Sequence, residues 1–314
     1  MSAALPSCVL VAGSANLDFV VRASHVPAPG ETVLGRELAL FPGGKGANQA
    51  VACARAGGAP THMLLALGDD AHAAPIERSL REAGVEPYIV RVADRATGTA
   101  FVCVSDDAEN AITVAPGANE ALRGEDLPDL HGVGHLLLQL ESPLAAVEAW
   151  AQRARAAGVR VVLNAAPARP LPSSLLDAID LLIVNEGELA VLSGIAGDLD
   201  AALARIPTRG VVVTLGARGC RARLDGEHLH QPAFAISAVD TTAAGDTFCG
   251  TLVAALARGL SFAAALRRAC AASALACTRV GAQASVPSHD ELERWLAEGA
   301  DSMPAAVTSF PLQV

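Results

Sequence analysis

The sequence predicts an α/β fold, a parallel β-sheet covered by helices on both faces, with a small inserted β-sheet. Three observations predict it. Short, continuously apolar runs such as CVLVAG (8–13), HLLLQL (135–140) and VVVTLG (211–216) recur along the chain. Strands without a polar face are those buried on both sides. Amphipathic stretches of helical period alternate with these runs, as crossover-connected parallel strands require. Two regions, 16–41 and 97–115, break the rhythm and read as strands and turns with no helix between them.

Taken in order, CVLVAG is the first strand and GANQAVACARAG (46–57) the first core helix. HMLLALG (62–68) leads to the helical AAPIERSLREAG (73–84), and HLLLQL to PLAAVEAWAQRARAAG (143–158). VRVVLNAA (159–166), DLLIVNEGELAVLSG (180–194) and VVVTLG continue the alternation. LDGEHL (224–229) carries an Asp225-Gly226 hairpin signal. FAISAV (234–239) reads as a strand, and FCGTLVAALARGL (248–260) as a helix ending at Gly259. The division expected is a core of 1–15, 42–96 and 116–298, a lid of 16–41 and 97–115 forming a small antiparallel sheet, and a loose tail from 299 to 314. A small sheet with one apolar face must bury it, over a cleft or against a second copy.

Composition narrows the function. Of 314 residues, 52% are hydrophobic and 18% charged, enough to bury a large core. No apolar run approaches the roughly 20 residues that span a bilayer, and the N-terminus lacks a basic start and a cleavage site. The net charge of −10 argues against nucleic-acid binding. Seven cysteines without a C-x-x-C pair point to buried, reduced thiols in a cytoplasmic protein.

The chemistry centres on VDTTAAGDTFCG (239–250). Asp246 sits at the start of a helix, where unpaired amides and the helix dipole attract anions, and Gly245 allows close approach to the backbone. An isolated Asp there would be an N-cap, but a cap explains neither Gly245 nor the second acid, Asp240. A carboxylate beside an anion hole is what phosphoryl transfer to a hydroxyl requires. FPGGKGANQAVACARAGG (41–58) likewise opens a helix with glycines and Lys45, yet Gly46 after Lys45 excludes a Walker P-loop.

GGKGAN and DTTAAGDTF together resemble the PfkB family of carbohydrate kinases, and within it the ribokinases most closely. GSANLD, PGETVLG, PGAN, LLLQLESPL, LNAAPAR, VNEGE, TLGARG and TRVGAQASVP extend the resemblance from about Val9 to Pro287. It implies a ribokinase-like three-layer α/β/α core with a discontinuous β-sheet lid, and ATP-dependent phosphorylation of D-ribose at the 5-hydroxyl.

By resemblance, Asp246 is the base, and Asn16, Asp18, Gly44, Lys45, Asn48 and Glu141 hold the sugar. Asn16 and Asp18, two apart in an extended chain, point the same way and suit a polyol. Asn185, Thr214, Gly216, Arg218, Gly219, Gly245 and Cys270 are implied around the nucleotide. Cys270 departs from the polar residue often found near adenine, and Ala100 and Val102 of the lid are expected to shape the sugar pocket. Glu188 is implied to hold Mg²⁺ through water, because Mg²⁺ needs few carboxylates. Asp240, Thr242, Ala276, Arg279, Gly281 and Ser285 are implied around an activating K⁺, mostly through carbonyls. Asparagine caps, Asx turns and plain glycine turns are the alternative roles for these positions, and Asn164 reads as structural. A homodimer through the lid is implied as well. The competing readings are a sibling kinase for another pentose, hexose or nucleoside, and a non-catalytic sugar sensor. An NAD-dependent oxidoreductase is disfavoured because VAGSAN lacks G-x-G-x-x-G.

Overall fold

The computed structural model describes residues 7–106, 110–298 and 308–309. The chain begins with β1 (Cys8–Ala12), then β2 (Asn16–Arg22) and β3 (Glu37–Gly43). Next come α1 (Lys45–Arg55), β4 (Thr61–Gly68), α2 (Ala73–Glu82), β5 (Val85–Val92), β6 (Gly98–Val104) and β7 (Asn110–Ala115). They are followed by β8 (Val133–Leu138), α3 (Leu144–Ala156), β9 (Arg160–Asn164), α4 (Ser173–Leu176), β10 (Leu181–Asn185), α5 (Glu186–Ser193) and α6 (Leu199–Arg205). The last part holds β11 (Gly210–Thr214), β12 (Cys220–Leu224), β13 (Glu227–Gln231), α7 (Ala244–Ala257), α8 (Phe262–Ala276), α9 (His289–Glu298) and β14 (Thr308–Ser309).

The large sheet runs β14-β13-β12-β11-β10-β9-β8-β1-β4-β5. It is parallel from β5 to β11 and antiparallel from there to β14. Each inner strand alternates between two cores. Val9 and Val11 of β1 face α1, α2, α7 and α8, while Leu10 and Ala12 face α3 to α6. Strands so buried need no polar face, which is why their sequences are apolar without alternation. The Asp225-Gly226 turn joins β12 to β13 with both residues at positive φ, 51° and 83°. That is the conformation a two-residue hairpin demands. Among the described residues, no helix is long and apolar enough to cross a membrane.

Three expectations are corrected. FAISAV is not a strand: Pro232 closes the β13 ladder, and 232–239 runs as irregular, mostly exposed chain before α7. It is anchored instead by Val239 N, which donates to Cys277 O at 2.8 Å. The lid sheet, β3-β2-β6-β7, is not wholly antiparallel, because β2 and β6 pair parallel. Both leave the carboxyl ends of parallel core strands, β1 and β5, so they enter the lid in the same direction. Of the expected loose tail, Thr308–Ser309 pairs with β13, and the rest lies outside the described residues.

Candidate active site

The carboxyl ends of β1, β8, β10 and β11 converge on the amino-terminal ends of α1 and α7, where open α/β sheets place their ligands. Gly44 precedes α1 at φ 87°, and a Cβ there would meet Ala15 Cα at 2.8 Å. Only glycine allows this approach, which seats the start of α1 against the end of β1. Glu141 then locks the junction. Its Oε2 accepts from the Ser14 hydroxyl at 2.5 Å and from the Lys45 amide at 3.0 Å.

Asp246 lies in the first turn of α7 but does not cap it; the N-cap residue is Ala243, at φ 55°. The Asp246 carboxylate instead reaches across to α1. Oδ2 accepts from Asn48 Nδ2 at 3.0 Å, and Oδ1 accepts from Gln49 Nε2 at 2.9 Å. Gln49 Nε2 also donates to Asn164 Oδ1 at 2.9 Å, and Gln49 Oε1 accepts from Gln139 at 2.7 Å. Asn164 in turn donates to Ile183 O at 3.2 Å, tying Gln49 to β10. Beside Asp246, a Cβ on Gly245 would meet no protein atom within 4 Å, so the space at the helix amino terminus is open.

Four carboxylates, Asp18, Glu141, Glu188 and Asp246, gather here around one lysine, Lys45. Burial raises the Asp246 pKa, although Lys45 and the two amide donors oppose the shift. Asp18 is pushed up to about 7 by burial and by the nearby Glu141 and Asp246 charges. Its Oδ1 is buried with no hydrogen-bond partner among the described residues. The side chain lies over Gly43, whose Cβ would collide with it. Burial works against the Lys45 charge, but Asp246, Glu141 and Glu188 outweigh it and the pKa rises. Asn16 is buried and accepts from Asn119 Nδ2 at 2.9 Å, while Asn119 Oδ1 accepts from the Ala15 amide at 3.0 Å. Strand register puts Ala100 on the Asp18 face of the lid, together with Val102 and Val114.

Farther along the sheet edge, Asn185 and Glu188 form a reciprocal capping box on α5, each backbone amide donating to the other's side chain at 2.8 Å. Glu188 Oε2 is the oxygen used, and burial raises the Glu188 pKa. Thr214 ends β11, and Gly216 and Gly219 turn the next loop at φ 57° and 90°. Arg218 pairs with Glu186 at 2.5 Å. Cys270, expected beside adenine, is buried in α8, its sulfur 3.7 Å from Cys220, where a small thiol packs as a hydrophobe.

Asp240 joins two loops. Oδ1 accepts from Thr242 N and Oδ2 from Gly281 N, each at 2.9 Å. Burial would raise its pKa, but these bonds outweigh burial and lower it. Ala276 and Ser285 are buried nearby, Ser285 donating to Ala282 O at 2.9 Å. The Arg279 side chain pairs with Glu291.

A family model described as pfkB family carbohydrate kinase matches residues 7–289. The chain belongs to the PfkB family. A ribokinase of Haemophilus influenzae is 38% identical over 298 residues, covering 91% of this chain and 97% of that protein. A deoxyribokinase of Salmonella typhi is 32% identical over 302 residues, 92% of this chain and 98% of that protein. The structure of Arabidopsis thaliana ribokinase complexed with ribose and ATP superposes with a TM-score of 0.85 at 33% identity, covering 93% of this chain and 99% of that one. The PfkB chain therefore has the ribokinase-like α/β fold.

The site also contains residues that motif reading did not single out. Ser14, Gly43, Gln49, Asn119, Gln139 and Gln283 all shape or hold it. Gln49 directly follows GGKGAN, and Asn119 closes PGAN. Proximity to those motifs was the available signal.

Proposed function

We propose that this PfkB kinase transfers the γ-phosphoryl group of ATP to the 5-hydroxyl of D-ribose. The observation that carries the reading is Asp246. A buried carboxylate of raised pKa, held by two amides, stands beside an open helix amino terminus. Asn16, Asp18, Gly44, Lys45, Asn48 and Glu141 surround the sugar. The unpartnered Oδ1 of Asp18 accepts a sugar hydroxyl and so recovers the hydrogen bond its burial lacks. Asp246 takes the proton from the attacking hydroxyl, and the amides around Gly245 receive the charge that builds on the phosphoryl oxygens. Lys45, charged and close to Asp246, bridges the sugar and phosphate ends. Asn185, Thr214, Gly216, Arg218 and Gly219 border the nucleotide, with the positive-φ glycines leaving backbone exposed to phosphate.

The donor set fits both ions. The capping box uses Glu188 Oε2, so Oε1 could hold a water of Mg²⁺, which would supply charge neutralisation on the phosphates. Loops 239–242 and 276–285, already tied through Cys277 O and Asp240, offer a carboxylate and backbone carbonyls to K⁺. The lid is the part that closes over the sugar and pairs with a second copy. Register places Leu38, Leu40 and Phe101, exposed by 49–58%, on the face away from Asp18, so an apolar surface remains for a partner lid. Sedimentation at micromolar protein should show a dimer, and a monomer would contradict this pairing.

The similarity to a deoxyribokinase favours 2-deoxyribose as the alternative acceptor. The test is ADP release with ribose, 2-deoxyribose, hexoses and nucleosides side by side. Highest kcat/KM for ribose is expected; a preference of tenfold or more for another acceptor would reassign the substrate, and no ADP release with any acceptor would leave a non-catalytic sensor.

A further inference from the structure

Each of the two amides that donate to Asp246 is itself held by another amide. A carboxylate only accepts, so Asn48 must turn its NH₂ toward Asp246 and its carbonyl away. That carbonyl receives Gln283 Nε2 at 3.2 Å. Gln283 must then direct its own carbonyl elsewhere, and the Ser79 hydroxyl donates to it at 2.5 Å. Polarity is thus fixed from end to end, through α2, the loop after α8, α1 and α7. Gln283 is 5% exposed and Asn48 7%, so water is a poor substitute for either partner. The backbone of the same loop is anchored by Arg55 Nη1 to Gln283 O at 3.4 Å and by Gly281 N to Asp240.

We infer that Gln283 is a positioning residue for phosphoryl transfer: its amide locks Asn48 in the orientation that donates to Asp246 and couples the 277–285 loop to the base. Without that donor, nothing distinguishes the two flips of the Asn48 amide except Asp246 itself. In the flipped form a carbonyl oxygen faces the carboxylate, and Gln49 is the one remaining hydrogen-bond donor among the described residues. Ionising Asp246 becomes harder, so activity should fail at higher pH on the acid side. The other ionisable groups facing Asp246 are Lys45, Glu141, Glu188, Asp18 and Cys249, and replacing Gln283 leaves all of them in place.

The inference rests on Asp246 being the base, and its test separates the two. Gln283→Met keeps the length of the side chain and removes the donor. The expected result is a kcat roughly tenfold lower, the low end for one hydrogen bond to a charged group. The acid limb of kcat should move up by about one pH unit, with the KM for ATP unchanged. In an Asn48→Ala background the same substitution should move the limb no further, since coupled sites are non-additive. Gln283→Asn, which retracts the amide by one methylene, should shift the limb in the same direction and serves if the Met variant folds poorly. An unmoved limb, or an equal shift in the Asn48→Ala background, overturns the inference. Asp246→Asn is assayed alongside. If that variant stays active, the base assignment falls and the inference with it; if it is inactive while the limb stays put, the inference alone fails.

Discussion

At the residue scale, the site gathers negative charge that the free protein tolerates poorly. Asp18 shows the consequence for pH. Its folded pKa, about 7, lies above the unfolded value near 3.8, so the folded state binds the extra proton between those limits. Stability from this group is therefore present below about pH 4 and is lost as pH rises toward 7. Asp18→Asn should raise the melting temperature at pH 8, by roughly 2–4 °C for each kcal/mol relieved, with little gain at pH 4. The same substitution should raise the KM for ribose about 10–100-fold, the loss of one charged hydrogen bond. Equal melting shifts at both pH values, or an unchanged KM, would remove Asp18 from this role. Asp18 and Asp246 were legible in the sequence because each stands next to glycines or at a strand end. Gln49, Asn119 and Gln283 were not, because an amide acquires meaning only from partners 90 to 235 positions away.

At the scale of elements, the crossing of α1 and α7 sets the geometry of Asp246. A Cβ on Gly250 would lie 2.3 Å from Gln49 O and 2.6 Å from Ala52 Cβ. Gly250 is what lets the helices approach closely enough for Gln49 to reach Asp246. Gly250→Val should destabilise by about 1–3 kcal/mol through overpacking. It should also reduce kcat on the order of 100-fold in the molecules that remain folded, as expected for misplacement by about 1 Å. A fold-neutral, fully active variant would show that the crossing has slack. The apolar strands and alanine-rich helices were readable from period alone. FAISAV was misread because a short alternating run says nothing about whether a sheet edge is free to receive it. β5, VEPYIVRV, gave a weak signal because it is an edge strand with Pro87 and charged residues along it. Parallel pairing of β2 with β6 depends on where both leave the core, which no local pattern records.

At the scale of the whole molecule, Asp246, Asn48, Gln283 and the loops around Asp240 form one connected structure. K⁺ should therefore order the turn before α7 without touching substrate, and raise kcat more than sugar affinity. Turnover in K⁺, Na⁺ and a bulky organic cation at constant ionic strength reads this out, with Asp240→Ala mimicking removal of the ion. Equal rates in all three would leave Asp240 as a turn residue, a role its bond to Thr242 N already supports. The central claim is that Asp246 deprotonates the acceptor hydroxyl. It is tested most directly by following ribose 5-phosphate formation by ³¹P NMR with the wild-type protein and with Asp246→Asn, at matched melting temperature. The rate in the variant should be slower by at least roughly 10²–10⁴-fold; a rate near that of the wild type would remove Asp246 from this role.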